Sequence, residues 1–169
     1  MSETKTRQLL REDVPALDDL NNTGCPLKWA LHKKDGSENA YVTEGLDGKA
    51  TDKSEGIRFY GTFVDGVLVA AVSIGFQNQG EESGTVKPNG FIRTVYTHPD
   101  YRRKGYGKEL MRVAECAAAR FGDDFVSVLL DKQLLNGNEM MVAQRFLSEC
   151  GYTYEDTVES NDCFGKKLF

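Results

Sequence analysis

Gly105 and Gly107 sit inside a run of cations, Arg102-Arg103-Lys104-Gly105-Tyr106-Gly107-Lys108, and the chemistry this run suits is capture of a diphosphate by main-chain N–H groups. Glycines at i and i+2 let the backbone approach a ligand with no Cβ in the way. A helix that starts there adds unpaired N–H donors and the positive end of its dipole. Four of the seven residues are cationic and supply counter-charge. Taken alone, these residues also fit a strand-to-helix turn with a solvated basic rim.

The flanking elements must aim the loop. The apolar run Phe91 to Tyr96 reads as a strand, stopped by His98-Pro99-Asp100-Tyr101 because proline fixes φ and cannot donate to a ladder. Downstream, Leu110, Val113, Ala114, Ala117 and Phe121 recur at three or four residues, while Lys108, Arg112 and Glu115 fall on another face. That pattern predicts an amphipathic helix from Leu110 to Phe121, with Ala114, Ala117 and Ala118 allowing a close approach to a sheet. Two other phosphate-binding patterns are excluded. A P-loop needs Gly-x-x-x-x-Gly-Lys-Ser/Thr, and no hydroxyl follows Lys108; a dinucleotide fingerprint needs a third glycine, where Leu110 stands.

These residues resemble the GNAT superfamily of N-acetyltransferases, whose coenzyme A loop reads Arg/Gln-x-x-Gly-x-Gly/Ala; Arg102, Gly105 and Gly107 fill it. The resemblance covers most of the chain. It begins at Thr6-Arg7 to Glu12-Asp13-Val14, similar to the family's first strand and helix, and continues through Val95 to Tyr101. Ala143, Phe146 and Gly151-Tyr152 resemble its later helix and strand, and Lys166-Lys167-Leu168 its last strand.

Elsewhere, Ala16, Leu17 and Leu20 predict a short first helix and Cys25-Pro26 to His32 a second. Lys33 to Gly56 and Gln77 to Asn89 are polar and read as surface loops, with Ala40-Tyr41-Val42 a brief ordered piece in the first. Ile57 to Phe63 and Val67 to Phe76 flank Asp65-Gly66, a hairpin signal. A strand from Phe125 to Leu130, a helix from about Glu139 to Cys150 closed by Gly151, and strands near Tyr152 to Val158 and Cys163 to Leu168 follow. Met140, Ala143, Phe146, Leu147 and Cys150 form the packing stripe of that later helix. The order implies a mixed α/β (α+β) fold. The resemblance makes it GNAT-like: a central, mostly antiparallel sheet with splayed middle strands and flanking helices, a single N-acetyltransferase domain over 1–169.

A chain of 169 residues, 40% hydrophobic and 28% charged, suits one sizeable core. The net charge of −5 argues against a nucleic-acid surface. No run approaches a membrane span, and the N-terminus lacks a signal-peptide apolar region, so the expectation is a cytoplasmic protein. Whether it is a homodimer is left open. Cys25, Cys116, Cys150 and Cys163 lack paired metal spacing; two of them fall on apolar helix faces, as small hydrophobes.

The resemblance also implies a mechanism. The strands Phe91 to Thr97 and Phe125 to Leu130 would part, and the pantetheine arm of acetyl-CoA would pair with main-chain groups near Val95 and Thr97. Arg102, Arg103, Lys104, Gly105, Tyr106, Gly107 and Lys108 would hold the diphosphate. The Val95 N–H would stabilise the tetrahedral oxyanion while an acceptor amine attacks directly. Such an amine must be neutral, and with a pKa of about 10.4 it needs a base or water chain. Where some relatives carry Glu or His, this chain has Phe91 and Arg93, so Asp131 at a strand end is the candidate base. His98 reads as a turn residue. Leu147 occupies the position of a thiolate-protonating tyrosine, with Tyr96, Tyr152 and Tyr154 as possible substitutes. Trp29, Tyr41, Phe76 and Phe164 are candidate walls of the acceptor groove. Glu38, Glu44, Asp47, Asp52, Glu55, Glu81 and Glu82 would attract a cationic amine, whereas Arg93, two residues from Val95, would hold an anionic group on the acceptor. A polyamine-like molecule, an amino-acid-like metabolite and a protein amine all remain open. The alternative function is a catalytically weak acyl-CoA-binding or sensor module.

Overall fold

The Asp65-Gly66 dipeptide adopts φ of +48° and +82°, the pair of left-handed conformations a two-residue hairpin turn needs. It joins β2 (Glu55–Val64) to β3 (Val67–Gln77). Around this hairpin the computed structural model, which describes residues 2–24, 46, 55–77, 89–120, 122–133 and 135–169, builds one seven-stranded sheet. The other strands are β1 (Thr4–Gln8), β4 (Asn89–Thr97), β5 (Phe125–Asp131), β6 (Thr153–Val158) and β7 (Asn161–Lys167). Their spatial order is β1-β2-β3-β4-β5-β7-β6, and every neighbouring pair is antiparallel except β4 and β5. This is the mixed, mostly antiparallel sheet that the resemblance implies. β7 slots between β5 and β6, so it alone of the two terminal strands pairs with β5, and β6 forms the edge.

Among the described residues three α-helices flank the sheet: α1 (Val14–Asn21), α2 (Tyr106–Arg120) and α3 (Gly137–Glu149). On one side, Leu17 and Leu20 of α1 bury with Leu9, Phe59, Leu68 and Tyr96. On the other, Leu110, Met111, Ala114 and Ala118 of α2 pack on Val72, Ile74, Ile92 and Val128. Burying each large aliphatic side chain stabilises the fold by about 1.5–3 kcal/mol. The alanines do what the sequence suggests, since their small volume seats α2 close over β3 and β4.

Several boundaries differ from the sequence reading, each for a local reason. α2 begins at Tyr106, four residues before Leu110, because its first turn is held by the loop rather than by an apolar stripe. α3 begins at Gly137: Asn136 accepts from the Glu139 N–H at 2.9 Å and Glu139 returns a bond to the Asn136 N–H at 3.0 Å, a reciprocal capping box. Glu55 and Gly56 belong to β2 rather than to the preceding loop. Leu46, read as part of a surface excursion, is buried in the cluster with Leu9, Leu17 and Leu20. The predicted helix Cys25 to His32, Ala40-Tyr41-Val42 and Phe121 lie outside the described residues. Among the described helices none is long and apolar enough to cross a membrane.

Two polar ties lock the layers. Arg7 on β1 donates to both Asp13 carboxylate oxygens at 2.7 and 2.8 Å, and Asp13 also accepts from the Leu10 N–H at 2.9 Å; the Arg7 hydrogen bonds hold this carboxyl below the usual carboxylate range. Glu115, on the face of α2 away from the apolar stripe, accepts from the Tyr152 hydroxyl at 3.1 Å and from Lys166 Nζ at 3.2 Å, while Lys166 also reaches the Cys150 carbonyl at 2.9 Å. One carboxylate thereby joins α2, the end of α3 and β7.

Asp123, between α2 and β5, is only 2% exposed and its Oδ2 has no hydrogen-bond partner. It lies under Gly90, where an added Cβ would stand 3.3 Å from that oxygen and 3.0 Å from Ala118 Cβ. Burial, aided by the neighbouring Asp124 charge, pushes its pKa up to about 6. The folded pKa lies above the unfolded one, so stability from this group is fully present below the unfolded pKa of about 3.9 and is lost as pH rises through about 6. Asp123→Asn should therefore stabilise the fold by about 1–3 kcal/mol at about pH 7.5. In urea melts that gain should fall by half or more at about pH 4.5; an equal gain at both pH values would exclude the ionisation argument.

Candidate active site

β4 and β5 part company in mid-strand. Their parallel pairing runs through Gly90↔Val126, Phe91↔Ser127 and Ile92↔Val128 and then ends. β4 nevertheless continues against β3 to Thr97↔Ala70, and β5 against β7 to Asp131↔Asn161. A wedge-shaped gap therefore opens between the second half of β4 and the end of β5.

The cause is a bulge. On β3, Ser73 pairs with Thr94 and Ile74 with Ile92, which leaves Arg93 as an extra residue on β4. Ile92 and Val95, three residues apart, consequently pack into the same cluster, which two-residue strand alternation would forbid. Two-residue alternation, the ground for placing Arg93 on the face of Val95, does not hold across the bulge; the Arg93 side chain itself is outside the described residues.

Beyond the bulge the ladder decides which main-chain groups face the gap. The His98 N–H bonds to the Val69 carbonyl at 2.8 Å, so Thr97↔Ala70 is a non-hydrogen-bonded pair, and by alternation so is Val95↔Val72. The N–H and C=O of Val95 and Thr97 therefore point away from β3 and into the gap. One of these groups is capped by a side chain: Arg102 Nε donates to the Thr97 carbonyl at 3.0 Å, with the guanidinium 5.6 Å from the Tyr96 ring centroid.

The glycine loop closes the wide end of this gap. His98 Nδ1 accepts from the Asp100 N–H at 3.0 Å and caps a 3-10 turn over Pro99–Tyr101, so His98 is a turn residue by geometry. Arg103 and Gly105 then adopt φ of +62° and +87°, alternating backbone that gathers successive N–H groups into a concavity. The first bond of α2 runs from the Glu109 N–H to the Gly105 carbonyl at 3.1 Å, which leaves the N–H groups of Tyr106, Gly107 and Lys108 without an intrahelical acceptor. The two glycines have different reasons to be there. Gly105 has open space around it and needs its φ; at Gly107 a Cβ would stand 3.2 Å from the Phe146 ring and 3.6 Å from Thr97 Oγ1.

The cations do not all converge on that concavity. Arg102, Arg103, Lys104 and Lys108 are all exposed, but Lys104 lies 5.2 Å from the Tyr101 ring centroid and Lys108 leans 3.5 Å from Glu149 of α3. The donors that converge on the concavity are therefore main-chain groups rather than side-chain charges.

The candidates for proton transfer are scattered. Asp131 is the last residue of β5, at the open end of the gap and on the strand that borders it; its side chain is outside the described residues. Leu147 is 1% exposed and belongs to the core. The Tyr96 hydroxyl meets Thr23 Oγ1 at 3.0 Å and the Thr23 carbonyl at 3.2 Å on the α1 side of the sheet. Tyr152, donating to Glu115, is raised far above an ordinary phenol by burial and by that carboxylate. The Tyr154 hydroxyl lies 2.6 Å from Thr157 Oγ1 on the edge strand. All three phenols are thus engaged outside the gap. Phe164 is also core rather than groove wall: opposite Val128 and Tyr154 in register, it packs under the helices at 7% exposure. Trp29, Tyr41, the Phe76 side chain and the acidic loop side chains from Glu38 to Glu82 lie outside the described residues. Phe146 is the residue that sequence reasoning missed. Its place in the α3 stripe signals only packing, yet its ring seats on Gly107 beside Thr97.

A parted parallel pair with gap-facing amides thus opens onto a glycine-shaped helix N-terminus. The family model described as acetyltransferase (GNAT) family matches residues 22–152. The chain belongs to that family. An uncharacterized N-acetyltransferase of Staphylococcus epidermidis is 33% identical over 91 residues, 52% of this chain and 61% of that protein, so the match spans less than two thirds of the relative's length. Among solved structures, the PaiA N-acetyltransferase of Thermoplasma acidophilum, in complex with coenzyme A, superposes with a TM-score of 0.65 at 20% identity, covering 98% of this chain and 99% of that one. A GNAT-family acetyltransferase of Streptococcus pneumoniae gives 0.67 at 16% identity, covering 98% and 99%. At these identities the likeness is one of fold.

Because Gly105 is required by its φ, Gly105→Ala should cost about 1–2 kcal/mol of stability although nothing crowds the added methyl. Gly107→Ala should instead act by displacing the Phe146 ring. In paired urea melts, Phe146→Leu should lessen the loss caused by Gly107→Ala and leave that of Gly105→Ala unchanged.

Proposed function

We propose that this chain is an acetyl-CoA-dependent N-acetyltransferase that moves an acetyl group directly onto a primary amine of a small molecule or protein. The observation that carries the reading is the continuity of two donor sets: the gap-facing main chain of Val95 and Thr97 leads straight to the unpaired N–H groups at the start of α2. A diphosphate suits the concavity from Arg103 to Lys108, and Gly107, with no Cβ, lets the start of α2 close on Phe146 and Thr97. In this reading Arg102, Arg103, Lys104 and Lys108 supply counter-charge at the rim, while Gly105 and Tyr106 shape the turn.

Acetyl-CoA, when bound, supplies the activated thioester. The chain's own part is to pair with the pantetheine amides through Val95 and Thr97 and to aim a fixed N–H at the developing oxyanion. We assign that donor to Val95; a donor of this kind is worth about 3 kcal/mol of transition-state stabilisation. Asp131, at the strand end bordering the gap, is the base we assign for removing the amine proton, directly or through water. With Leu147 in the core and the three phenols engaged elsewhere, the coenzyme thiolate leaves without a tyrosine acid. Its pKa, near the 8.5 of a free thiol, permits this at modest cost in rate.

The same missing acid favours a second reading, an acyl-CoA-binding module with little turnover. Thermal unfolding with acetyl-CoA, ATP or NAD tests the shared step, since a ligand of the native state raises the midpoint by mass action. Acetyl-CoA should raise it selectively, by about 2.7 kcal/mol of stability at one hundred times its dissociation constant, and Gly107→Glu should remove the shift. Absence of any shift in the wild type would sink both readings. Free-thiol release with a panel of amines then separates them: release needing both acetyl-CoA and an amine supports the transferase, and binding without release supports the module.

A further inference from the structure

Away from the gap, the flank of α2 that faces β2 carries a groove of about 390 Å³, within the range of small-ligand sites. Its helix wall repeats at three and four residues: Glu109, Arg112, Val113, Cys116, Ala117 and Arg120. Its floor is Tyr60 of β2. β3 separates this strand from β4, and α2 stands between the groove and the Gly107–Phe146 contact, so the groove is distinct from the acetyl-transfer gap.

Its polar lining consists largely of donors. Among the described residues, neither the Arg112 and Arg120 guanidinium groups nor the Tyr60 hydroxyl has a hydrogen-bond or ion-pair partner. Arg120 and Arg58, the latter two residues along the same face of β2, both act on Tyr60 electrostatically, and burial keeps this phenol neutral and able to donate. Glu109 is the single carboxylate in the lining, at the end nearest Arg112. The groove therefore has a net positive lining on a chain whose net charge is −5. Arg112 and Arg120 are eight residues apart, about 12 Å along the helix axis, with long side chains that can close on one ligand between them. The surface between them is apolar, formed by Val113 and Ala117.

We infer that this groove is a second binding site, for a small organic anion whose carboxylate or phosphate is held by Arg112, Arg120 and Tyr60 and whose short apolar part lies on Val113 and Ala117. It would regulate or supplement the acetyl-transfer site without forming part of it. The inference does not depend on the proposed activity.

Cys116 provides the readout. Its thiol is exposed and lines the groove, so an occupant shields it. The experiment measures maleimide labelling of Cys116 by peptide mass spectrometry in the full chain, with inorganic phosphate, citrate or butyrate added at constant ionic strength. The Gly107→Glu variant serves as the background, so that anions on the diphosphate loop do not enter the reading. At about four times its dissociation constant, a ligand should slow labelling about fivefold. An Arg112→Ala, Arg120→Ala double variant should lose that protection, and Tyr60→Phe should weaken it. The double variant in a wild-type loop should keep its acetyl-CoA thermal shift, because both arginines are outside the gap. Should that shift be missing from the wild-type chain as well, the proposed function fails while protection of Cys116 still decides the groove. Protection by phosphate alone would assign a phosphate-bearing ligand, and by citrate or butyrate a carboxylate. No protection by any of the three, or protection that survives in the double variant, would overturn the inference.

Discussion

The candidate site depends on main-chain hydrogen bonds that β4 and β5 do not make with each other. A buried amide or carbonyl without a partner costs roughly 1–3 kcal/mol, so a sheet opens in its middle only where something compensates. Here the compensation is spread around the gap. β3 holds the far edge of β4, β7 holds the far edge of β5 through Asp131↔Asn161, and Arg102 caps the Thr97 carbonyl. The bulge at Arg93 turns the strand so that Val95 and Thr97 present their remaining groups to the opening. A ligand with alternating amides restores the interrupted ladder, which is why the gap suits a pantetheine arm.

The helix that ends at this gap is held in place independently of any ligand. Leu110, Ala114 and Ala118 seat α2 on the sheet, and Glu115 ties it to Tyr152 and Lys166 on the side of the terminal strands. Its N-terminus is therefore preorganised: the N–H groups of Tyr106, Gly107 and Lys108 already converge before an anion arrives. Fixed dipoles of this kind bind and stabilise charge without reorganising. The buried Asp123 shows the same rigidity at the opposite end of α2, where the packing of Gly90 on Ala118 leaves its carboxyl unpartnered.

Charge has a secondary role. The basic run attracts attention in the sequence, yet Lys104 and Lys108 turn toward Tyr101 and Glu149, and exposed pairs of the latter kind contribute little to stability. In the proposed reading the side chains would steer and screen, and the backbone would recognise the diphosphate. On the other flank of α2 the balance reverses, with Arg112 and Arg120 providing the groove's cationic groups.

What the sequence determined by itself were features governed by neighbours along the chain. Asp65-Gly66 demanded a tight hairpin, the stripe from Leu110 to Ala117 demanded a buried helix face, and Gly105 with Gly107 marked the turn that leads from strand to helix. Tertiary structure decided whatever depends on pairing between distant strands. Nothing local in Phe91-Ile92-Arg93-Thr94-Val95 announces a bulge; it arises because Ile92 and Val95 both bury beneath α2 while β3 keeps its own register. Phe164 became core because β7 inserts between β5 and β6, and Cys116 became exposed because the face of α2 beside it meets the groove rather than a second helix. Phe146 reached Gly107 only once α3 was laid beside α2. Periodicity says which face of an element is buried, but the partner that buries it, and the gap left where partners separate, are properties of the assembled sheet.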